Sequence, residues 1–523
     1  MKRISIAVVI LVLCAITIIA CAKPAPTTPA VTPAKPATSV SPAQPSKPTP
    51  QYGGILKTIS VGGPTTFGYP SESDPISATA GRVAIETLFY LDDKGSPLPR
   101  LATAWELGAD GKSLTVKLRQ GVMFHDGTTF NADAAKWNLD NEIALKRIDP
   151  ITSVTVVDPY TIRLGMSQYS NVVYPTLAMG AGMISPTAVQ KNGKEWARTN
   201  PVATGPFKFV EFKRDTSLKY EKFADYWEKG RPYLDGYEIA YFADQTTAAI
   251  AFEAGQAHIF SSTSAKVASD LKTKGFTVRG MPGMVMLLTS DSANSDSPFF
   301  NKKVREAVEY AIDKASIVNA IGYGFMYPTN QLCPKEYLGY NTDIQSRNYD
   351  PAKAKALLTE AGYPTGFKTK LMARTTDDQN AIVAIQTFLK AVGIDVTLDI
   401  TDRARYEDTR TKGWKNGLIY GATGADINMN QRISADLGAG VVYWVSLARP
   451  ASWQPALNES MAAIDVEARK AKMGALMKVG FDEAFVTPLW VSNDTGAIAK
   501  GVNVNYLTFH KIMWKHTEAW LSK

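Results

Sequence analysis

Cysteine and histidine are both scarce in this chain, with three of one and four of the other among 523 residues. Cys14 lies inside an apolar leader and Cys21 directly follows it, so Cys333 alone remains for a folded domain. A single thiol excludes an internal disulfide and a thiolate zinc site, and Cys333 is expected as a buried apolar residue. His125, His258, His510 and His516 are scattered and no H-E-x-x-H pattern accompanies them, so a zinc hydrolase has no ligand set. A serine hydrolase lacks its parts too, since no G-x-S-x-G occurs and no S-x-x-K comes with its partner motifs. A glycosidase needs only two carboxylates, and 49 acidic residues leave that chemistry open on sequence grounds. Positive charge is not concentrated either: the net charge is +8, and Lys23, Lys35 and Lys47 of that excess sit in a low-complexity tail. With no dense basic block, nucleic acid is not an expected partner, and a basic surface beside an anionic membrane is the better use of the charge. No repeated text is visible, which excludes a solenoid.

What is present begins at the first residues. "MKR" followed by "ISIAVVILVLCAITII" is a positive n-region and an apolar h-region, which predicts a signal peptide over residues 1–20. "IIAC" places Ile18 and Ala20 at cleavage-site positions and makes Cys21 the predicted lipidation site, anchoring the protein outside the cytoplasm by lipid. Residues 21–52 then read as a Pro-, Ala- and Thr-rich spacer that favours extended polyproline segments of roughly 3.1 Å per residue.

The remaining length is too great for one ordinary core and predicts two or three globular units. "GGILKTIS" reads as a strand. "SATAGRVAIETLFYL" carries Val83, Ala84, Thr87 and Leu88 at helical spacing, and predicts a helix. "SLTVKLRQGVMFHDG" alternates, with Leu114, Val116 and Leu118 on one face of a strand, and Asn131 is placed to cap the helix that follows. "YLDGYEIAYFADQTTAAIAFEAGQAHIF" reads strand (237–242), helix (245–254), Gly255, strand, an order that fits helices packed on a mixed sheet. Val304, Ala307, Val308, Ala311 and Ile312 predict one helix running to Gly322 or Gly324. "YDPAKAKALLTEAGYP" is punctuated by Asp350, Pro351, Gly362 and Pro364, and Ile394, Val396 and Leu398 alternate in the strand after Gly393.

"PRLATAWELGADGKSLTVKLRQGVMFHDGTTFNADAA", with "ATGPFKFVEF", "YEKFADYW", "FEAGQAHI", "VREAVEYAIDKASI", "DPAKAKALLTEAGY" and "DEAFVTPLW" in that order, closely resembles family 5 of the bacterial extracellular solute-binding proteins. These are the oligopeptide-, dipeptide- and nickel-binding proteins of ABC importers. The resemblance runs from about Gly53 to the C-terminal region. It implies an α/β, two-lobed periplasmic-binding-protein fold of the type II, Venus-flytrap kind with an additional subdomain. One lobe would comprise 53–90, 205–283 and 489–523, the appended subdomain 91–204, and the second lobe 284–488. A small polar solute, a peptide first of all, would be enclosed between the lobes and delivered to ABC permease subunits by a monomer needing no cofactor. The family also admits oligosaccharide, aromatic-acid and metal-chelate binders and sensor-coupled receptors, but it is not a family of enzymes.

Peptide-binding relatives pair a second-lobe aspartate with the ligand's ammonium, and "WKNGLIYGATGADINMNQ" makes Asp426 the matching candidate; the alternative is a turn aspartate bonded to its own backbone. Peptide binders carry Asp-Pro after that aspartate, where this chain has "DINMNQR". Trp414, Tyr443 and Trp444 are candidates to stack on a ligand, and Asn428 and Asn430 to hydrogen-bond it. Such a pocket suits sugars and aromatic acids as well as peptides. No histidine falls in the segments assigned to the cleft, and no metal site is expected. His125-Asp126, which looks like a catalytic dyad, instead ends a strand at a turn and is expected to be structural.

Overall fold

The computed structural model describes residues 49–505 and 514–522, and the elements below belong to the unit Pro50–Lys523. The signal peptide, the lipidation site Cys21 and most of the spacer lie outside the described residues.

A mixed sheet organises the fold. In spatial order its strands are Phe207–Lys213, Ser217–Lys222, Gly236–Phe242, Ile55–Val61, Ile259–Thr263, Thr487–Ile498, Thr277–Ser290, Gly417–Gly424, Phe367–Arg374 and Ile394–Thr401. Two long strands, Thr277–Ser290 and Thr487–Ile498, pair antiparallel from Thr277 opposite Ile498 to Leu288 opposite Thr487. One end of this ribbon pairs with Ile259–Thr263 and the other with Gly417–Gly424, so it connects two groups of strands. The register breaks between Pro282 and Met284, where Gly283 lies. A Cβ on Gly283 would stand 2.6 Å from the Asp494 carboxyl carbon and 2.9 Å from the Asp494 nitrogen, so the crossing requires glycine.

In the first group, Ile55–Val61 is flanked by Gly236–Phe242 and Ile259–Thr263, both parallel to it. The connecting helix Gln245–Glu253 begins at Asp244, whose carboxylate accepts from the nitrogens of Thr246 and Thr247. It buries Ala248, Ala251 and Phe252 against Ile59 and Phe260. In the second group, Phe367–Arg374 runs parallel to both Ile394–Thr401 and Gly417–Gly424. Helix Pro351–Glu360 starts as its punctuation predicts, with the Asp350 side chain accepting from Lys353 N. A separate antiparallel sheet of Ala102–Leu107, Ser113–Leu118, Thr161–Met166 and Ile151–Asp158 packs on helix Ala132–Ala144, capped by Asn131. Its core holds Leu114, Val116 and Leu118 with Phe124, Phe130 and Leu139.

Two expectations are corrected. The helix read around residues 83–88 ends at Gly81, and the chain continues as the short strands Glu86–Thr87 and Phe89–Leu91. Those residues are buried on all sides, so their apolar spacing reflects complete enclosure and not one helical face. The single helix read after Lys302 is two, Lys302–Ala311 and Lys314–Ile321. Ile312 is extended, and Asp313 starts the second helix by accepting from Ser316 N. A local cap has overridden a continuous apolar face.

Candidate functional site

Alternate residues of the three parallel strands share one sheet face, because side chains on a strand repeat with period two. That face presents Thr58 and Ser60, then Tyr237, Ile239 and Tyr241, then Ile259 and Ser261. Above it lies a cavity of about 590 Å³. Residues 70–82 and 175–180 supply its sides, and Asp426, Gln431 and Arg432 come from the end of the Gly417–Gly424 strand and the helix after it. In open α/β sheets the crevice outside the carboxyl ends of parallel strands is the usual ligand position.

One wall is aromatic. The Trp514 ring stands 4.3 Å from that of His516, and Tyr237 lies 5.9 and 5.5 Å from the two. Tyr241, only 7% exposed, also lines the cavity, while its hydroxyl atom is buried and has no hydrogen-bond partner among the described residues. A buried hydroxyl left unpaired costs about 1–3 kcal/mol.

Charge of both signs lines the cavity. Arg147 donates to the Ser71 carbonyl and, at 3.3 Å, to that of Pro70. Glu142, beside it, has its carboxyl raised by burial against the pull of Ser71 and Arg147. Arg432 is paired with Asp436 at 2.9 Å. Arg82 donates to the Met179 carbonyl, and burial, aided by the neighbouring positive charge of Arg100 and opposed by Asp426, pushes its guanidinium down to about 9. Burial and the charges of Arg100 and Arg82 push His516 down to about 3, so its imidazole is neutral at pH 7. Around Arg100, Glu86 is fully buried and accepts from Thr204, Tyr226 and Trp227 at 2.9, 2.9 and 3.0 Å, with Arg100 at 3.4 Å.

Of the six residues expected at the ligand, Asp426 stands on the cavity wall, its carboxylate accepting from Asn428 N at 3.2 Å. The other five lie away from that wall. Trp414 donates its indole N–H to Gly417 O at 3.1 Å and packs edge-on to Trp444, which is 3% exposed. Tyr443 offers its ring face to Arg410 at 3.9 Å. Asn428 caps helix Met429–Leu437. Asn430 donates to Ser460 O at 3.0 Å, beside Asn171, which donates to Ser460 O and Ala463 O at 2.8 and 3.0 Å. These amide donors tie residues 171–176 to residues 430–463, a junction that Gln431 extends by donating to Thr176 at the cavity edge, while the Asn430 Oδ1 and Asn428 Nδ2 atoms are buried without a partner among the described residues. Asn171→Ala is expected to weaken solute binding several-fold by loosening this junction. Calorimetry checks it, and equal affinity in variant and wild type would count against the role.

His516 lines this cavity, although the segments assigned to the cleft from the sequence contained no histidine. Arg82, Tyr237, Tyr241 and His516 were not singled out in the sequence, although the alternation of "YEIAYF" does place Tyr237 and Tyr241 on one face. His125 is structural: its Nε2 donates to Gly205 O at 2.9 Å and its Nδ1 accepts from Ala203 N at 3.3 Å. Asp126 turns instead to Ser185 and Thr128. Cys333 is fully buried, its thiol pushed up to about 12. Among the described residues no group of three His, Cys, Asp or Glu side chains is placed to hold a metal, and no helix is long and apolar enough to cross a membrane.

Two strand groups joined by a long ribbon, with a polar and aromatic cavity lined from both, define a two-lobed binding protein of the periplasmic type. The profile of the bacterial extracellular solute-binding proteins, family 5 (middle region), matches residues 96–438, and the chain belongs to that family of ABC-importer binding proteins. The glutathione-binding protein GsiB of Shigella flexneri is 33% identical over 367 residues, covering 68% of this chain and 71% of that protein. DppA from Helicobacter pylori, solved with the peptide STSA, superposes with a TM-score of 0.75 at 23% identity, covering 90% of this chain and 99% of that one. AgaA from A. tumefaciens R10, solved with agropinic acid, gives 0.71 at 26% identity over 90% of this chain and 99% of that one.

Proposed function

We propose that this chain captures a small peptide-like solute in the 590 Å³ cavity, closes two lobes over it, and delivers it to an ABC permease from a lipid anchor on Cys21. The lobes would be residues 53–90, 205–283 and 489–523 against 284–488, with 91–204 appended, hinged at the ribbon near Gly283. The supporting observation is the cavity wall itself. Carboxylate and guanidinium groups line one space beside aromatic rings, which suits a zwitterion with a short side chain. GsiB and DppA, named for or solved with peptides, support the same reading.

Mass spectrometry of solute released from the purified protein tests it: a peptide supports the reading, and a neutral sugar sinks it. The N-terminal peptide in the same sample reports on the anchor, since a diacylglyceryl adduct on Cys21 supports it and an intact residue 1–20 segment refutes it. Asp426→Asn is expected to weaken a peptide with a free amino terminus about tenfold, while an N-acetylated one binds variant and wild type alike. Calorimetry that finds both peptides unaffected removes Asp426 from the site.

A further inference from the structure

Arg82 stands apart from the other guanidiniums around the cavity. Arg432 has Asp436 at 2.9 Å, Arg100 has Glu86 at 3.4 Å, and Arg147 has two carbonyls with the Glu142 charge nearby. Arg82 has one backbone carbonyl, that of Met179, and no carboxylate among the described residues within ion-pair distance. A guanidinium carries five N–H donors in a planar fork, so most of its donor capacity is left to whatever occupies the cavity it lines. Setting a cation among packed atoms without an ion-pair partner is unfavourable, and a second guanidinium nearby adds to the cost. The depressed ionisation of Arg82 reports that cost, with Asp426 offsetting part of it. His516, held neutral on the same wall, supplies no competing charge.

We infer that Arg82 anchors an anionic group of the solute, a carboxylate or an oxyanion of similar shape, and that acids rather than neutral sugars or amides are therefore the class this protein selects. The inference rests on the reading of the cavity as the solute site. A bidentate carboxylate would supply the missing counter-charge and take up two of the free donors at once. Asp426 lines the same cavity, near enough to Arg82 to offset part of its charge, so the carboxylate of the solute would complete a site that already holds both signs.

Calorimetry tests this with four probes: the tetrapeptide STSA, its C-terminal amide, glutathione and agropinic acid. Wild type is expected to prefer STSA over its amide by at least about tenfold, the loss typical of an unpaired buried charge. Arg82→Gln should bring that ratio to about one, and Arg82→Lys should keep part of it, with melting temperatures close to wild type. A merely structural role would weaken acid and amide together and leave the ratio standing, which would overturn the inference. So would a co-purifying solute with no acidic group. Agropinic acid bound in an Arg82-dependent way, with peptides ignored, would sustain Arg82 and refute the peptide reading. STSA bound equally by wild type and Arg82→Gln would do the reverse.

Discussion

Glu86→Ala is expected to lower the unfolding free energy by about 3–5 kcal/mol, a large share of what a folded domain has. The carboxylate is fully buried, and four donors converge on it: the Thr204 and Tyr226 hydroxyls, the Trp227 indole N–H and the Arg100 guanidinium. Alanine leaves the Thr204, Tyr226 and Trp227 donors without this acceptor, and the Arg100 charge keeps the Thr87 hydroxyl beside Arg82. Glu86→Gln keeps the volume and one carbonyl oxygen but turns an amide N–H toward donors, so an intermediate loss is expected. Because Thr204 and Trp227 are separated from Glu86 by more than a hundred residues in sequence, the loss should also loosen the packing between those segments. Urea titration of both variants measures the effect. A Glu86→Ala midpoint matching wild type would show that water satisfies these donors and that the cluster is not closed.

Acid should unfold the protein earlier than carboxylate titration alone would, because of His125. Burial lowers the imidazole from its ordinary 6.5 to about 4, with a small further push from Lys208 against the Gly205 carbonyl that favours the proton. The geometry gives the reason: Nδ1 already accepts from Ala203 N, so a proton there would set two N–H groups face to face. The unfolded chain takes up the proton below pH 6.5 and the folded one does not until about 4. Stability is therefore lost as pH falls through that window, by roughly 3 kcal/mol once both states are charged. His125→Gln, with one amide donor and one acceptor, should lie below wild type at pH 7 and show a flatter decline from 6.5 to 4. Unfolding curves collected across that range decide it, and parallel declines would mean that other groups carry the acid response. Solute affinity at pH 7 should hardly change, since His125 contacts the turn at residues 203–205 and lies outside the cavity wall.

Much of the fold was legible because its signals are local. Asn131 and Asp350 cap helices in the structure, and the alternating runs at Ser113–Leu118 and Ile394–Thr401 are strands. Reading failed where burial is complete, as at Glu86–Leu91, because a segment enclosed on every side shows no period. It failed again at Ile312-Asp313, where a two-residue cap interrupts an unbroken apolar face.

The site divides along the same line. The sequence alone determined the family and the scarcity of histidine and thiol groups, and it singled out Asp426 for test, since each depends on residue types in order along the chain. Only the tertiary structure decided that Asn428 and Asn430 serve a cap and a junction, that Trp414, Tyr443 and Trp444 pack away from the cavity, and that Arg82, Tyr241 and His516 face it. A cavity wall is assembled from segments hundreds of residues apart, and whether a polar group there is spent or free depends on partners brought by the fold. Asparagine, tryptophan and arginine look the same in text whether their donors are already taken or still open to a solute.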